Sequence, residues 1–584
     1  MTDSILRSES LCSSPLAPEL RSKLVAYGAA VLAIAVEIYV FFPELPVSSR
    51  YFALQDFPVL VVGALALLAA ARLSAPILEF TPTARFVRRA GFACAAFALA
   101  AALAGAVFAL RRFDLVSDEV AANFDAAIFR AGHLLAPVDA QWRPFIDALN
   151  ELALSAPGGA AWSSNYLPVN AALRSLADAT LGAYWANPLL LAVATLALFS
   201  IALRLWPARP DAAFVACALF ATSSQALVAA MTSFAMTGHL ALNLVWLALF
   251  LRGSRLSHAL ALVVGFLACG LHQLVFHPLF VAPFILSLWF ERKRALFCVH
   301  VGVYAAICLF WTEYWSLAQW LEGFSARDAA QSGAPLMVSR VARVFASSGF
   351  DAIFPMTLNL TRFLAWQNLF ALPLAAFGVA AVRRGEGVAR PLLLGMVVAV
   401  VAFGLLSPPQ GAGWGYRYLH GFIGSWCLLA GYGWVEMSKQ ASRREQGAAM
   451  SALIAFCAAS LFILAPLRVF TVAGELAPLR AAAARIETAP TEVVLIDRLH
   501  WLYGGGLTRN DPFLRAPRPK VMDLVSLDEA ALRDLCAHHG VSMLTEAQGL
   551  ALGVPYFETP AEWNEKRLAK LELLRSLSCA APID

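Results

Sequence analysis

Charged residues are scarce in this chain. Asp, Glu, Lys and Arg make up 14% of the 584 residues, whereas hydrophobic residues make up 60% and the mean hydropathy is +0.67. An ordinary soluble domain carries about 25% charged residues. The deficit excludes a typical soluble protein and indicates that lipid surrounds most of the chain.

The excess of positive over negative charge is also small, at +5. The basic residues stand between apolar runs and form no single patch, so we expect them to set the orientation in a membrane. No nucleic-acid partner is expected.

The ten cysteines lack the CxxC or Cys/His spacing of a structural zinc site. Most lie inside apolar runs, where a thiol behaves as a small hydrophobic group. Cys536 and Cys579 fall in a polar region near the C-terminus. There the sequence leaves two alternatives open, a disulfide in a periplasmic region or two unpaired thiols.

A cleavable signal is not recognisable at the start of the chain, because residues 1–23 are polar and have no small-residue cleavage site after a short apolar core. We expect these residues to form a cytoplasmic tail. The first apolar run then becomes a membrane anchor.

Apolar runs of membrane-spanning length recur along the chain. They predict a polytopic α-helical membrane protein with about thirteen spans, three of them in residues 24–110 and the others in a bundle at 188–466. The expected spans are 24–42, 57–73, 90–110, 188–206, 211–231, 238–251, 257–275, 277–290, 295–311, 364–382, 391–406, 419–437 and 447–466.

Basic residues cluster in alternate loops, which all fall on one side of the membrane when the spans are counted in order. This positive-inside pattern predicts a cytoplasmic N-terminus and an external C-terminus. Three segments then face outward, 111–187, 312–363 and 407–418, and we expect function there. After residue 466 the hydropathy drops, and strand-like runs at 492–497, 521–525 and 541–545 with a helix at 527–539 predict a small periplasmic α/β domain, 467–584.

The first outward segment contains an acidic pair, Asp118 and Glu119, at the start of a predicted amphipathic helix. We expect its apolar side to lie on the bilayer and its acidic side to face a cavity. Adjacent carboxylates can be solvated helix-start acids. They also suit a general base beside an acceptor or metal ligand.

Histidines gather at outer helix ends, and an arginine stands in a glycine-rich outer turn. His239, His272 and His277 are ordinary interfacial side chains taken singly, but together they can point toward an anionic group. Arg417 lies between Tyr416 and Tyr418, where a guanidinium can clamp a phosphate.

Three of these features, in this order, resemble the GT-C superfamily of membrane glycosyltransferases, in the branch of bacterial dolichyl-phosphate-mannose-like and lipid A aminoarabinose transferases. They are the acidic pair Asp118 and Glu119 after a span, a proline-led juxtamembrane helix at 165–173, and the RYL sequence that opens a late span at 417–419. The resemblance covers about residues 90–466.

The resemblance implies a glycosyltransferase that moves a hexosyl or pentosyl group from a polyprenyl-phosphate donor to an envelope lipid or glycan at the periplasmic face of a bacterial inner membrane. Asp118 would be the base, and Arg417, aided by His272 or His277, would stabilise the departing phosphate. Glu119 would orient the acceptor or hold a divalent cation, although the sequence itself does not require a metal. The chain departs from the family at Tyr166 and Leu167, where some relatives have a basic residue, at His239, where some have an acid, and in its two additional N-terminal spans.

Two other functions remain open. A flippase for lipid-linked saccharides would also be polytopic, but transporters place polar groups at mid-membrane and show repeated halves, neither of which is recognisable in the sequence. A glycan polymerase or ligase would share the chemistry and differ in the donor.

Overall fold

The computed structural model describes residues 13–41, 46–324, 353–406, 410 and 413–583. The first half of the predicted tail therefore lies outside the described residues, as do 325–352 of the second outward segment and most of 407–412.

Long apolar helices dominate the described chain and make it a polytopic helical membrane protein. Seven are long and apolar enough to cross a membrane: Pro18–Phe41, Ser48–Arg72, Ala84–Ala109, Ala183–Leu205, Arg294–Thr312, Ala389–Leu406 and Arg443–Glu487. Shorter apolar helices are Pro210–Ala221, Met236–Phe250, Arg255–Cys269 and Phe276–Phe290. Further helices at Ile353–Ala365, Ala371–Arg384 and Ile423–Gln440 complete this part of the chain. The count of about thirteen spans stays a prediction.

The run predicted as one span at 211–231 is divided. One helix ends at Ala221 and another covers Ser224–Ala229. The Ser223 hydroxyl accepts a hydrogen bond from the Ala226 N–H and donates to Gln367 Oε1 over 2.8 Å. Ser223 is the N-cap of the second helix and so marks a break after the first. Hydropathy alone does not reveal such a break.

The last apolar helix does not end near Pro466 as predicted. A π turn at Ser460–Leu464 precedes this proline, and helix continues to Glu487. A π turn adjusts the hydrogen-bond ladder locally, which lets the helix tolerate a residue without an N–H. The 45-residue helix is about 68 Å long, more than twice the hydrocarbon thickness.

The first outward segment folds into short elements. Helices cover Ser117–Arg130, Ile146–Leu149 and Val169–Asp178, and a three-stranded antiparallel sheet has the order Ala136–Pro137, Ala161–Ser164, Ala153–Ser155. The predicted proline-led helix is present and begins after Pro168. A short helix at Tyr314–Leu321 follows the span Arg294–Thr312.

The C-terminal region contains a four-stranded parallel sheet, which we call the C-terminal sheet. Its order is Lys520–Asp523, Val493–Ile496, Val541–Leu544, Ala581–Pro582. Helices cover Glu529–His538, Glu546–Ala551 and Ala561–Ser576. The three strands and the helix predicted here are present, and Cys536 and Cys579 form a disulfide.

The C-terminal sheet and the first outward segment share one hydrophobic core. Phe124 and Ile128 pack in the same cluster as Val493 and Leu495. The Trp162 indole N–H donates to the Pro512 carbonyl over 2.7 Å. The apolar side of helix Ser117–Arg130 was expected to lie on the bilayer, and this expectation is wrong, because the C-terminal sheet covers it.

Candidate active site

Asp118 and Arg417 form an ion pair across 299 residues of sequence. Arg417 Nη1 donates to Asp118 Oδ2 over 2.8 Å, and the two side chains are 11% and 22% exposed, Arg417 being the more buried. Asp118 lies in the first turn of Ser117–Arg130, where the helix dipole favours a carboxylate. Arg417 begins the short 3₁₀ segment that leads into Ile423–Gln440. The structure therefore brings together the predicted acid, Asp118, and the arginine predicted to bind phosphate, Arg417.

Tyr166 and His272 complete the surroundings of this carboxylate. The Tyr166 hydroxyl donates to Asp118 Oδ1 over 2.6 Å, and its ring stacks on His272 with centroids 3.9 Å apart. The Leu167 N–H donates to the His272 carbonyl over 3.1 Å and so ties the two segments together. Both oxygens of Asp118 thus accept a hydrogen bond from a side chain.

These neighbours decide the charge of the site. Burial raises the pKa of Asp118, but Arg417, His272 and the Tyr166 hydrogen bond outweigh burial and hold the pKa below its ordinary value. Burial lowers the pKa of His272 to about 4, against the opposing effect of Asp118. At neutral pH the site therefore contains a carboxylate, a guanidinium and a neutral imidazole.

The backbone around Arg417 is held by its own turn, which we call the arginine turn, residues 410 and 413–417. The Arg417 N–H donates to Gln410 Oε1 over 2.7 Å, and Gln410 Nε2 donates to the Gly415 carbonyl over 2.9 Å. Gly413 has a φ of +126°, and Arg417 Cδ lies 2.3 Å from the position that a Cβ on Gly413 would take. Only glycine fits at this position.

Several buried polar atoms of the site are left for a ligand. Arg417 Nε, His272 Nδ1 and the Tyr416 hydroxyl are buried and have no hydrogen-bond partner among the described residues. Buried donors are normally satisfied, so the unpaired Arg417 Nε of the ion pair, with the unpaired Nδ1 on the His272 ring that stacks on Tyr166, indicates a place for an oxyanion. The Tyr418 ring lies 5.7 Å from the Tyr416 ring.

Glu119 has a different environment from Asp118. Its carboxylate accepts the backbone N–H of Leu115 over 2.9 Å and that of Ser233 over 3.1 Å. Burial, and then the nearby Asp114, raise its pKa. Among the described residues no hydrogen bond or ion pair joins the Glu119 side chain to the side chain of Asp118 or Arg417. Glu119 points away from Asp118 because successive helix residues are rotated by about 100°. Its carboxylate joins the backbone at Leu115 to the backbone at Ser233, so its geometry is that of a structural contact.

The three predicted histidines occupy different places. His272 lies in the site. His277 belongs to the helix bundle, where its ring nitrogens are 2.7 Å from Asn243 Oδ1 and 2.9 Å from the Tyr304 hydroxyl. His239 is buried beside Phe276, at 4.9 Å between ring centroids, and Phe276 in turn contacts Tyr418. No hydrogen bond or ion pair among the described residues joins His239 to Asp118 or Arg417, and both its ring nitrogens are buried without a hydrogen-bond partner there.

Sequence reasoning missed the supporting residues. It noted Tyr166 only as a departure from the family, and it did not single out Arg174, Ser233 or Asp114. Arg174 donates to Ser233 Oγ over 2.8 Å, and Ser233 Oγ donates to Asp114 Oδ1 over 2.6 Å. The only signal was the position of Arg174 in the amphipathic helix after Pro168.

A metal site is not formed by the described side chains, since no group of three or more His, Cys, Asp or Glu residues among them is arranged to hold an ion.

Comparisons with known proteins give structural likeness alone. No family model and no curated protein matches the chain. Two solved structures that resemble it are of ArnT from Cupriavidus metallidurans. The apo structure has a TM-score of 0.44 and 14% identity, covering 79% of this chain and 86% of that chain. The structure bound to undecaprenyl phosphate has a TM-score of 0.45 and 13% identity, covering 83% and 89%. At TM-scores below 0.5, the function of this chain has to be argued from its own side chains.

Proposed function

We propose that this chain is a membrane glycosyltransferase that moves a sugar from a polyprenyl-phosphate donor to a lipid or glycan acceptor. The observation that carries the proposal is the contact between Asp118 and Arg417, with unpaired buried donors beside it. Such a site offers both groups that glycosyl transfer needs, a carboxylate to accept a proton and a cation to hold the leaving phosphate.

Arg417 binds the donor phosphate in this proposal. One Nη of its guanidinium is engaged with Asp118, whereas Nε has no partner among the described residues. A phosphate can accept from Nε and a terminal nitrogen at once, in the bidentate arrangement that guanidinium favours. His272 Nδ1 and the Tyr416 hydroxyl are further groups that can contact the phosphate or the sugar.

Asp118 acts as the base once the donor is bound. Arg417 is the strongest of the influences that lower the pKa of this carboxylate. A phosphate that takes over the guanidinium weakens that influence, so the pKa of Asp118 rises and the carboxylate becomes a better proton acceptor. Donor binding would thereby activate the base.

The transfer itself is an in-line displacement. The acceptor hydroxyl gives its proton to Asp118 as its oxygen attacks the anomeric carbon, and the bond from that carbon to the phosphate oxygen breaks. The polyprenyl phosphate leaves with its charge opposite Arg417. Nucleophile and leaving group stand on opposite faces of the sugar, so the donor must enter between Asp118 and Arg417. Donor binding therefore separates their ion pair in this proposal.

The same proposal places the site on the periplasmic face of the bacterial inner membrane. The positive-inside pattern supports this side for the first outward segment. The Cys536–Cys579 disulfide supports it too, because the C-terminal region shares a core with that segment and disulfides persist in oxidising compartments.

The test is transfer from a synthetic polyprenyl-phosphate sugar by purified protein, with the product identified by mass spectrometry. Asp118→Asn keeps the shape of the side chain and removes the base, so we expect turnover to fall by about 10²- to 10⁴-fold. Asp178→Asn is a matched control, since Asp178 pairs with Arg130 on the surface of the same segment. Unchanged turnover in folded Asp118→Asn protein would remove the mechanism. A product extended by several sugar units would indicate a polymerase or ligase.

A further inference from the structure

The second apolar helix, Ser48–Arg72, contacts the arginine turn directly. The Ser48 hydroxyl donates to the Gln410 carbonyl over 2.7 Å, and the Tyr51 ring packs edge-on against Trp414 with centroids 5.6 Å apart. Gln410 is the residue whose side chain accepts the Arg417 N–H. Two successive hydrogen bonds through Gln410 therefore connect Ser48 to Arg417.

A second connection runs through a buried charge. Asp56 ends a π turn at Phe52–Asp56, and its Oδ2 accepts from Arg362 Nε over 3.0 Å. Arg362 Nη2 donates to the Gly413 carbonyl over 3.1 Å. Asp56 and Arg362 are both fully buried, and Asp56 Oδ1 also lies 3.2 Å from Arg468 Nη2, so loss of the Asp56 charge would leave two buried guanidinium groups without their carboxylate. π turns are often found at functional sites, where they redirect one side chain.

Both connections end on the part of the turn that shapes Arg417. The Arg417 side chain packs across Gly413, and Arg362 binds the carbonyl of the same glycine. A shift of Gly413 or Gln410 would therefore move the guanidinium. Holding a ligand group in its bound geometry before the ligand arrives improves affinity, because the ordering cost has already been met.

We propose that Ser48 and Asp56 are positioning residues for the donor-phosphate site, and that the second apolar helix, Ser48–Arg72, serves to fix the arginine turn. This inference rests on the proposed function, in which Arg417 holds the lipid phosphate. It gives a role to one of the two additional N-terminal spans.

A matched control lies on the same helix. Arg50 pairs with Glu475 of the long helix at 3.5 Å, and no hydrogen bond or ion pair joins it to the described residues of the arginine turn. Arg50→Gln breaks a contact of the N-terminal spans and leaves the turn intact. It separates positioning of Arg417 from general packing of the helices.

The experiment measures binding of a sugar-free polyprenyl phosphate to detergent-solubilised full-length protein by native mass spectrometry, together with KM for the donor and kcat. We expect Ser48→Ala to weaken phosphate binding and raise KM about fivefold, as befits one lost hydrogen bond, with kcat within about twofold of wild type. Ser48→Thr retains the hydroxyl and should restore both values. Asp56→Asn should weaken binding at least about tenfold, and Arg50→Gln should leave it unchanged.

The outcomes separate this inference from the proposed function. Wild-type protein that does not bind polyprenyl phosphate would overturn both. Wild-type protein that binds, with Ser48→Ala equal to wild type or Arg50→Gln equal to Ser48→Ala, would overturn the positioning role alone. If Asp56→Asn does not fold, the comparison of Ser48→Ala with Ser48→Thr decides the question.

Discussion

Asp118 and Asp125 lie on one helix, yet their pKa values are shifted in opposite directions. Asp118 is paired with a guanidinium, which keeps it ionised. Asp125, two turns later, is buried and accepts the N–H and the hydroxyl of Ser164, over 2.8 and 2.5 Å. Burial raises its pKa to about 7, because these two neutral donors do not offset the loss of water. Asp118 is therefore ionised at neutral pH and available as a base. Asp125 lowers the stability of the fold at neutral pH, because its charged form is unfavourable when buried.

The raised pKa of Asp125 predicts how stability changes with pH. The unfolded chain loses this proton near pH 4 and the folded chain near pH 7, so the folded state is progressively disfavoured as pH rises between these values. The shift corresponds to roughly 4 kcal/mol. Asp125→Asn should match wild type most closely at pH 4 and unfold at a higher temperature than wild type at pH 8, as measured by thermal unfolding in detergent. Asp147→Asn, at an exposed position, is the control. Parallel pH curves for wild type and Asp125→Asn would contradict this.

Among the site residues, Asp118 and Arg417 were recognisable because each stood in a distinctive local pattern, an acidic pair after a span and an arginine between tyrosines in a glycine-rich turn. Glu119 was assigned to the site as the second member of the acidic pair on which the family resemblance rests, whereas a helix turns adjacent residues to different sides. His277 was grouped with His272 because both lie near one helix end, whereas Asn243 and Tyr304 hold it in the bundle. These partners are distant in sequence and leave no local signal.

At the level of elements, the arginine turn shows how a few backbone angles fix a charged side chain. Gly413 adopts a left-handed φ and lies against Arg417. The turn has little regular secondary structure to hold it, so side-chain contacts and glycine take over that task.

Gly413→Ala should disrupt this turn. The added Cβ would overlap Arg417 Cδ, and φ of +126° is strained for alanine, so we expect donor affinity to fall at least about tenfold. Gly132→Ala provides the comparison, because Gly132 also has positive φ, +85°, but nothing lies within 4 Å of its Cβ position. Both variants carry the backbone strain and only Gly413→Ala displaces the arginine. Equal donor KM values for the two would contradict the account.

Most helices were predictable from apolar runs, but the residues at which they begin and end were predicted less well. The break at Ser223 depends on a hydrogen bond to Gln367, and the continuation past Pro466 depends on a π turn. Hydropathy records the solvent around a segment but not the hydrogen bonds at its end. The strands at 493–496 and 541–544 were easier, since each is a short apolar run bounded by polar residues.

At the scale of the whole molecule, sidedness follows from how the chain is packed. The first outward segment and the C-terminal sheet share a core, so they lie on one side of the membrane. The positive-inside pattern predicts that the loops with the basic residues connect the spans on the opposite side.

Labelling from one side checks this arrangement. Glu558→Cys, in the C-terminal region, should react with a membrane-impermeant maleimide on intact spheroplasts. Arg443→Cys, at the exposed start of the long helix, should react only after permeabilisation. A background in which the free cysteines are replaced serves as control. The reverse labelling pattern would contradict the proposed orientation.

The core that the first outward segment shares with the C-terminal sheet bears on how reactants reach the site in the proposed function. These two segments pack together through Phe124, Trp162 and Val493. Neither can therefore move away as a separate flap without exposing apolar side chains to water. A polyprenyl chain already dissolved in the bilayer has no need of such an opening. In the proposed function its headgroup would reach Arg417 laterally between helices, while its tail stays in the hydrocarbon.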